Sequence, residues 1–360
     1  MAGFKLFPGL SAKDKQVYLL KPKAFFMERK QYNSLDLCKL LMAFCVVAQH
    51  TLLFTDSLIC NIYYAIIRMA VPFFFLTSGF LLAQKMEPPC TEQESQTMLR
   101  KFLAKICKMY FIWSFIYLPL AIYHYVMTDI GVFKSIIRYI RDFVFLGEHW
   151  NSWQLWYLLS MIYALFFIIV LSRIKCTRFF IVSVGFLSFL IGIGLTSLSR
   201  YYGDLPECVQ VLRQFSRTPI VGGICRAVSG MFYLPLGLLL FQAKIKKEIF
   251  LLMFFVALSF NVLDGGFIFK EILRIFLSIG FFGMAKAVSL PDHPGYLFAR
   301  KMSIIIYLIH MYVFVFCCKL TVGKIAYGVR PFLATLAISS LIAALYIVIR
   351  NRSFMRSQQG

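Results

Sequence analysis

Charged residues are scarce in this chain: they make up 15% of its 360 residues, against roughly 25% in a soluble domain. Acidic side chains are the scarcer kind, 16 Asp and Glu beside 38 Lys and Arg. Water is therefore not the main solvent of the fold. The basic excess does not point to nucleic acid, because Lys and Arg fall in short segments between apolar runs and no basic domain gathers them. No metal-ligand spacing links the ten cysteines, several of which (Cys38, Cys45, Cys317, Cys318) sit inside apolar runs. They read as small apolar fillers, and no metal is expected. No internal repeat is visible, so an inverted-repeat transporter gets no direct support. The segment before residue 35 lacks the apolar core and small-residue cleavage site of a signal peptide, which leaves it as a basic cytoplasmic arm and the run over 35–54 as a retained first span.

What is abundant is apolar surface. Hydrophobic residues make up 60% of the chain, and runs near the roughly 20 residues that cross a ~30 Å hydrocarbon core follow one another almost without interruption. The pattern predicts helical spans over 35–55, 62–83, 106–127, 153–171, 179–198, 226–242, 249–264, 267–286, 302–320 and 331–349. Pro, Gly and charge mark breaks at 87–89, 203–206, 264–266 and 291–295. The expected fold is all-α: a polytopic transmembrane bundle of about ten helices over 35–350, flanked by a basic arm over 1–34 and a basic tail over 351–360. With the amino terminus in the cytoplasm, Arg173, Lys175 and Arg178, then Lys244, Lys246 and Lys247, then Arg350, Arg352 and Arg356 fall on the same side, as the positive-inside rule requires. Both termini are then cytoplasmic, and the expected location is the inner (cytoplasmic) membrane, with the lipid bilayer as first partner.

Six basic residues remain inside the expected spans: Lys39, Lys108, Lys270, Arg68, Arg226 and Arg274. A charge at the bilayer centre costs about 3 kcal/mol on insertion scales, so each should face a polar cavity, pair with an acid or snorkel to an interface. Lys270, Glu271 and Arg274 lie at separations that allow local pairing on one helix face. Lys108 and Arg226 are open to snorkelling.

The first span holds the most informative set. Lys39 and His50 are eleven residues apart, about 1100° of helix, so they share a face to within roughly 20° and are separated by a rise of about 16 Å. Asp36 lies one turn before Lys39 on nearly the same stripe. Such a stripe suggests a channel, with a cation for an anionic group at the inner mouth and an imidazole suited to proton transfer farther out. A histidine that merely hydrogen-bonds a neighbouring helix is the competing reading. Arg68, on an antiparallel second helix, is expected near the depth of His50, where a cation stabilises a developing oxyanion or orients substrate. Ser303, Tyr307 and His310, at offsets of four and seven, form another polar face at mid-membrane depth, with structural hydrogen bonding as the plain role of His310. His124, His149 and His293 read as loop or interface histidines.

Together these segments resemble the acyltransferase-3 family, multi-span enzymes that O-acylate bacterial cell-surface glycans and related acceptors; the resemblance covers most of the chain. The family's basic residue, ten intervening positions and a histidine correspond to Lys39 and His50, and its Phe-Phe-x-x-Ser-Gly signature to Phe74, Phe75, Ser78 and Gly79. Leu155-Trp156-Tyr157-Leu158 resembles the aromatic start of a central span, Tyr233-Leu234-Pro235-Leu236-Gly237 a later Gly-containing span, and Ser303 through His310 the Ser…Tyr-Leu-x-His segment. Where the family commonly has two arginines three apart, this chain has Lys105 and Lys108, which keep the charge without the bidentate fork. Gln154 stands where many members have His.

The resemblance implies a membrane-bound acyltransferase with His50, Arg68 and Asp36 in the catalytic set. Its donor would be acyl-CoA, with acetyl as the group transferred and the phosphates drawn to Lys39, Lys105 and Lys108. Ser78, Trp156, Tyr307 and His310 would line the substrate path, although Thr77, Ser78 and Gly79 also allow plain close approach of helices. The acceptor would be a hydroxyl of a surface glycan or a related extracytoplasmic molecule, met by loops over 128–151 and 199–225. There Trp150, Trp153, Tyr201 and Tyr202 read as interfacial anchors or sugar-stacking platforms. The alternative is a transporter of a small molecule such as an amino acid, because the same membrane module resembles that of vancomycin-resistance serine racemases.

Overall fold

A computed structural model describes residues 31–52, 57–86, 90–263 and 265–357. Most of the expected basic arm, the break at 87–89, Asp264 and the last three residues of the expected tail lie outside them. The chain divides into Met1–Tyr32 and Asn33–Gly360, and the second unit is the one described below.

This unit is helical, with no strand among the described residues. In chain order its helices are α1 (Asn33–Thr51), α2 (Ser57–Arg68), α3 (Ala70–Met86), α4 (Glu92–Thr128), α5 (Val132–Arg141), α6 (Trp156–Arg173), α7 (Arg178–Arg200), α8 (Glu207–Ser216), α9 (Pro219–Gln242), α10 (Lys247–Phe260), α11 (Phe267–Ala287), α12 (Pro294–Val322) and α13 (Val329–Ser357). A π-helical turn, Asp142–Leu146, follows α5, and a 3-10 turn, Trp153–Leu155, leads into α6. The helix α13 continues past residue 350 into the segment read as a tail.

Seven helical stretches among the described residues are long and apolar enough to cross a membrane: Ile59–Met86, α4, Trp153–Arg173, α7, α9, Pro294–Leu320 and Val329–Arg352. The three other expected spans fall on α1, α10 and α11. The apolar run of α1 is diluted by Asp36, Lys39, Gln49 and His50, α10 has only 14 residues, and α11 carries Lys270, Glu271 and Arg274. Burial separates centre from edge: 72% of the Ile59–Met86 window is buried, against 22% of Val329–Arg352. The outer faces of α4 and α7 present Phe111, Phe115, Phe179 and Leu187, suited to lipid.

Two local features position the functional residues. Pro72 has no N–H to give the carbonyl of Arg68, four residues earlier, so the helix breaks between α2 and α3 at Met69 and leaves Arg68 at the break. At the centre, α9 packs on α3, α6 and α7. A Cβ on Gly79 would lie 2.1 Å from the Leu234 carbonyl oxygen, and one on Gly237 would lie 2.2 Å from that of Leu76. The small residues of the two family-like motifs thus face each other and let the α3 and α9 backbones touch, the usual device where no hydrophobic effect drives helices together.

The segments expected as loops over 128–151 and 199–225 contain the short helices α5 and α8. The α5 helix has Val132, Phe133, Ile136, Ile137 and Ile140 exposed beside Lys134, Arg138 and Arg141, the composition of a helix lying along a membrane interface. At ten residues, it is too short for a span-length pattern to reveal.

Candidate functional site

The site lies where α1 and α7 end, α2 gives way to α3, and α9 and α11 begin. Between these ends is a cavity of about 880 Å³, on the side of the bundle away from Asp36 and Lys39. His50, Arg68 and Trp156 all line it. Three residues singled out from separate segments are therefore brought to one space.

His50 occupies the last turn of α1. Its ring stacks on that of His310 from α12, with centroids 5.5 Å apart and planes at 29°, and lies 6.0 Å from Trp153. The Nδ1 of the buried His310 is 2.8 Å from the carbonyl oxygen of Tyr307 and 3.2 Å from that of Ile306. Carbonyls only accept, so these contacts assign the proton to Nδ1 and leave Nε2 as an acceptor. That Nε2 is buried without a hydrogen-bond partner among the described residues.

The turn of α12 carrying His310 is pinned from outside. The Tyr307 hydroxyl donates to the Gln154 carbonyl, and the Gln154 side-chain amide donates to the Leu308 carbonyl at 3.1 Å. The Tyr117 hydroxyl donates to Leu308 O at 2.9 Å and accepts from Tyr312 N at 3.3 Å, bridging the two ends of one helical rung. Tyr307 also joins Phe74, Phe75 and Tyr157 in an aromatic cluster, the tightest pair being Phe75 and Tyr157 at 4.6 Å. Ser78 reaches the Tyr157 hydroxyl and does not line the cavity. Parts of three family-like motifs thus meet in one layer.

The cavity wall is strongly cationic. Arg226 makes a two-pronged ion pair with Glu148, at 2.6 and 2.8 Å, and Arg274 pairs with Glu271 at 2.8 Å. Pairing, in place of snorkelling, is how Arg226 meets the demand for a partner. Lys270 donates to the carbonyls of Asn261 and Leu263, each at 2.7 Å. Arg68 lies over the ring of Tyr64 at 4.9 Å, within electrostatic reach of Arg200, Arg274 and Glu271. Beside Glu148, and outside the spans, the buried His149 ring stacks flat on Tyr139 at 4.0 Å, and burial pushes its imidazole down to about 4. Arg274 and Glu271 form the local pair that their spacing allowed, whereas Glu148 carried no signal in its own segment; the usable one was that acids are rare and that Arg226 required a partner.

Other expected site residues lie elsewhere. Asp36 is buried at the opposite end of α1, 3.1 Å from Lys39 and 3.5 Å from Arg300; fourteen residues of helix, about 21 Å, separate it from His50. The stripe between Lys39 and His50 is interrupted by Ala43 and Val47, which pack in an apolar cluster with Met302, Ile306, Ala343 and Ile347. Lys105 and Lys108 are exposed on α4 and do not line the cavity.

Against known proteins, the chain matches the acyltransferase-3 family, described as an acyltransferase domain, over residues 32–349. It is similar to an amino-acid racemase of Enterococcus faecalis, 27% identical over 225 residues, covering 60% of this chain and 30% of the relative. A second amino-acid racemase of that organism is 30% identical over 152 residues, covering 38% of this chain and 20% of the relative. The chain therefore spans less than a third of either relative. No solved structure matches it.

Proposed function

Because the chain belongs to the acyltransferase-3 family, we propose that it is a multi-pass O-acyltransferase of the cytoplasmic membrane. It transfers an acyl group, acetyl in the first instance, from acyl-CoA to a hydroxyl of a surface glycan or related extracytoplasmic acceptor. The observation that carries this reading is that His50 and Arg68, from different helices, open onto one cavity large enough for a sugar.

The acceptor oxygen attacks the thioester carbonyl as His50 takes the hydroxyl proton; the carbon–sulfur bond then breaks and coenzyme A leaves as its thiolate, to be protonated afterwards. Arg68 faces the negative charge that grows on the carbonyl oxygen. In a two-step variant His50 carries the acyl group between donor and acceptor. His310, with a free Nε2 against the His50 ring, holds that ring in place. Lys39, Lys105 and Lys108 meet the donor's phosphates on the cytoplasmic side, with Asp36 orienting Lys39. Delivery of the acyl group to His50 then requires the Ala43 and Val47 packing to part.

The test is acyl transfer in membranes carrying His50→Ala: turnover should fall by at least about a hundredfold at unchanged protein level, and full retained activity rules this role out. The similarity found to amino-acid racemases covers only part of either chain. A second reading is transport of a free amino acid, because the membrane module resembles that of serine racemases. Counterflow of an unmodified amino acid, without acyl-donor-dependent labelling of any acceptor, would establish it instead.

A further inference from the structure

The cavity is lined by cationic side chains that outnumber its carboxylates among the described residues. Arg226 and Arg274 are satisfied by Glu148 and Glu271. Arg68, Arg200 and Arg217 line the same cavity, and among the described residues none of them forms an ion pair with a carboxylate. Arg200 lies over the Phe267 ring at 4.4 Å, and Arg217 is over the Tyr202 ring and donates to the main-chain carbonyls of Ser199 and Tyr201. These contacts hold the guanidinium groups in place, and among the described lining residues five arginines stand against two glutamates, an excess of three positive charges. Arg68 and Arg200 lie near enough for each charge to act on the other. All three arginines are exposed, so they are open to a ligand that enters the cavity, and the planar guanidinium fork matches the paired oxygens of a carboxylate or phosphate.

Resting on the acyltransferase reading, we propose that the acceptor is an anionic molecule whose carboxylate or phosphate is bound by Arg200 and Arg217 while its hydroxyl faces His50 and Arg68 stays with the reacting carbonyl. The placement supplies the geometry for selection: Arg200 and Arg217 line the cavity from the end of α7 and the connection before α9, and His50 lines it from a different element, the end of α1. A charged group held by the two arginines orients the rest of the molecule toward the imidazole. Neutral glycans gain nothing from these cations and must compete with water for the same space.

The test uses the full chain in its native membranes, supplied with acyl-labelled acyl-CoA, followed by anion exchange of the released surface polymers at neutral pH. The expected result is label in the retained, acidic fraction. Amidation of carboxylates or cleavage of phosphodiesters should then release it, whichever treatment succeeds identifying the oxyanion. Arg200→Gln should lower labelling at limiting acceptor by about tenfold, as expected for one hydrogen bond to a charged group, and Arg200→Lys should restore part of it. Label confined to neutral polymer, or labelling unaffected by Arg200→Gln, overturns this inference and leaves the acyltransferase reading intact. Absence of donor-dependent label from every fraction, with the wild-type protein present, overturns the acyltransferase reading itself.

Discussion

The imidazoles of His50 and His310 stack across the α1–α12 interface with centroids 5.5 Å apart, and the Nδ1 of His310 is committed to the carbonyls behind it. A ring so held fixes its neighbour while leaving an unprotonated nitrogen beside it. On the proposed mechanism, His310→Phe preserves the stack and removes that nitrogen, so kcat should fall by about tenfold or more with protein level unchanged. The pH–rate profile should also move. An unaltered profile would show that only the ring's shape matters.

Gly79 and Gly237 bring the backbones of α3 and α9 into contact. Gly79→Ala drives a methyl group against the Leu234 carbonyl and should destabilise the bundle by about 1–3 kcal/mol, the usual cost of overpacking. Thermal unfolding of the detergent-solubilised protein measures it, and a melting temperature equal to wild type would mean that the helices separate without cost.

Arg226 and Glu148 form a half-buried pair joining α9 to the segment after the π-helical turn. Removing either partner alone leaves the other charge unanswered, and with the exposure of the arginine taken into account the loss should be about 1–2 kcal/mol. The Arg226→Gln, Glu148→Gln double variant should recover part of that loss. A double-mutant cycle on unfolding measures the coupling; simple additivity of the two losses would show that the pair contributes nothing.

Stability should also depend on pH through His149. Its folded imidazole protonates only near 4, whereas the unfolded one takes a proton near 6.5. Between these values the unfolded state binds more protons, so stability falls as pH drops from about 6.5 to about 4, by up to about 3 kcal/mol, and is constant above that window. His149→Phe retains the stack on Tyr139 and should flatten this part of the curve. Equal pH dependence in the two proteins would show that His149 does not set it.

Lys105 and Lys108 are exposed on α4, so replacing both with Ala should leave the melting temperature unchanged. If they hold the donor's phosphates, the KM for acyl-CoA rises while kcat is kept. Initial rates at varied donor concentration separate the two constants, and an unchanged donor KM removes these lysines from the donor site.

Much of the architecture was legible because its signals are local. Helix-length apolar runs announce α4, α6 and α7; the break at 203–206 falls between helices as its Pro and Gly content suggested, and that at 291–295 runs into α12, which Pro294 opens. The short helices α5 and α8 left no comparable trace, since ten residues of mixed polarity also describe a loop. At the site, the spacing of Lys39 and His50 correctly put them on one helix, but helical phase contains no information about what packs between them; Ala43 and Val47 fill that stretch against α12 and α13.

By itself the sequence determined a helical chain suited to lipid, because hydropathy and helical period act over a few turns and are written in consecutive residues. It also marked Arg226 and Arg274 as charges in need of partners. Only the tertiary structure decided that Glu148 answers Arg226, that His310 backs His50, and that Arg68, Arg200 and Arg217 line one cavity with the imidazole. Those relationships join segments far apart in the chain. They depend on how closely packed helices approach, as α3 and α9 do at Gly79 and Gly237, a property of packing in three dimensions that no single segment specifies.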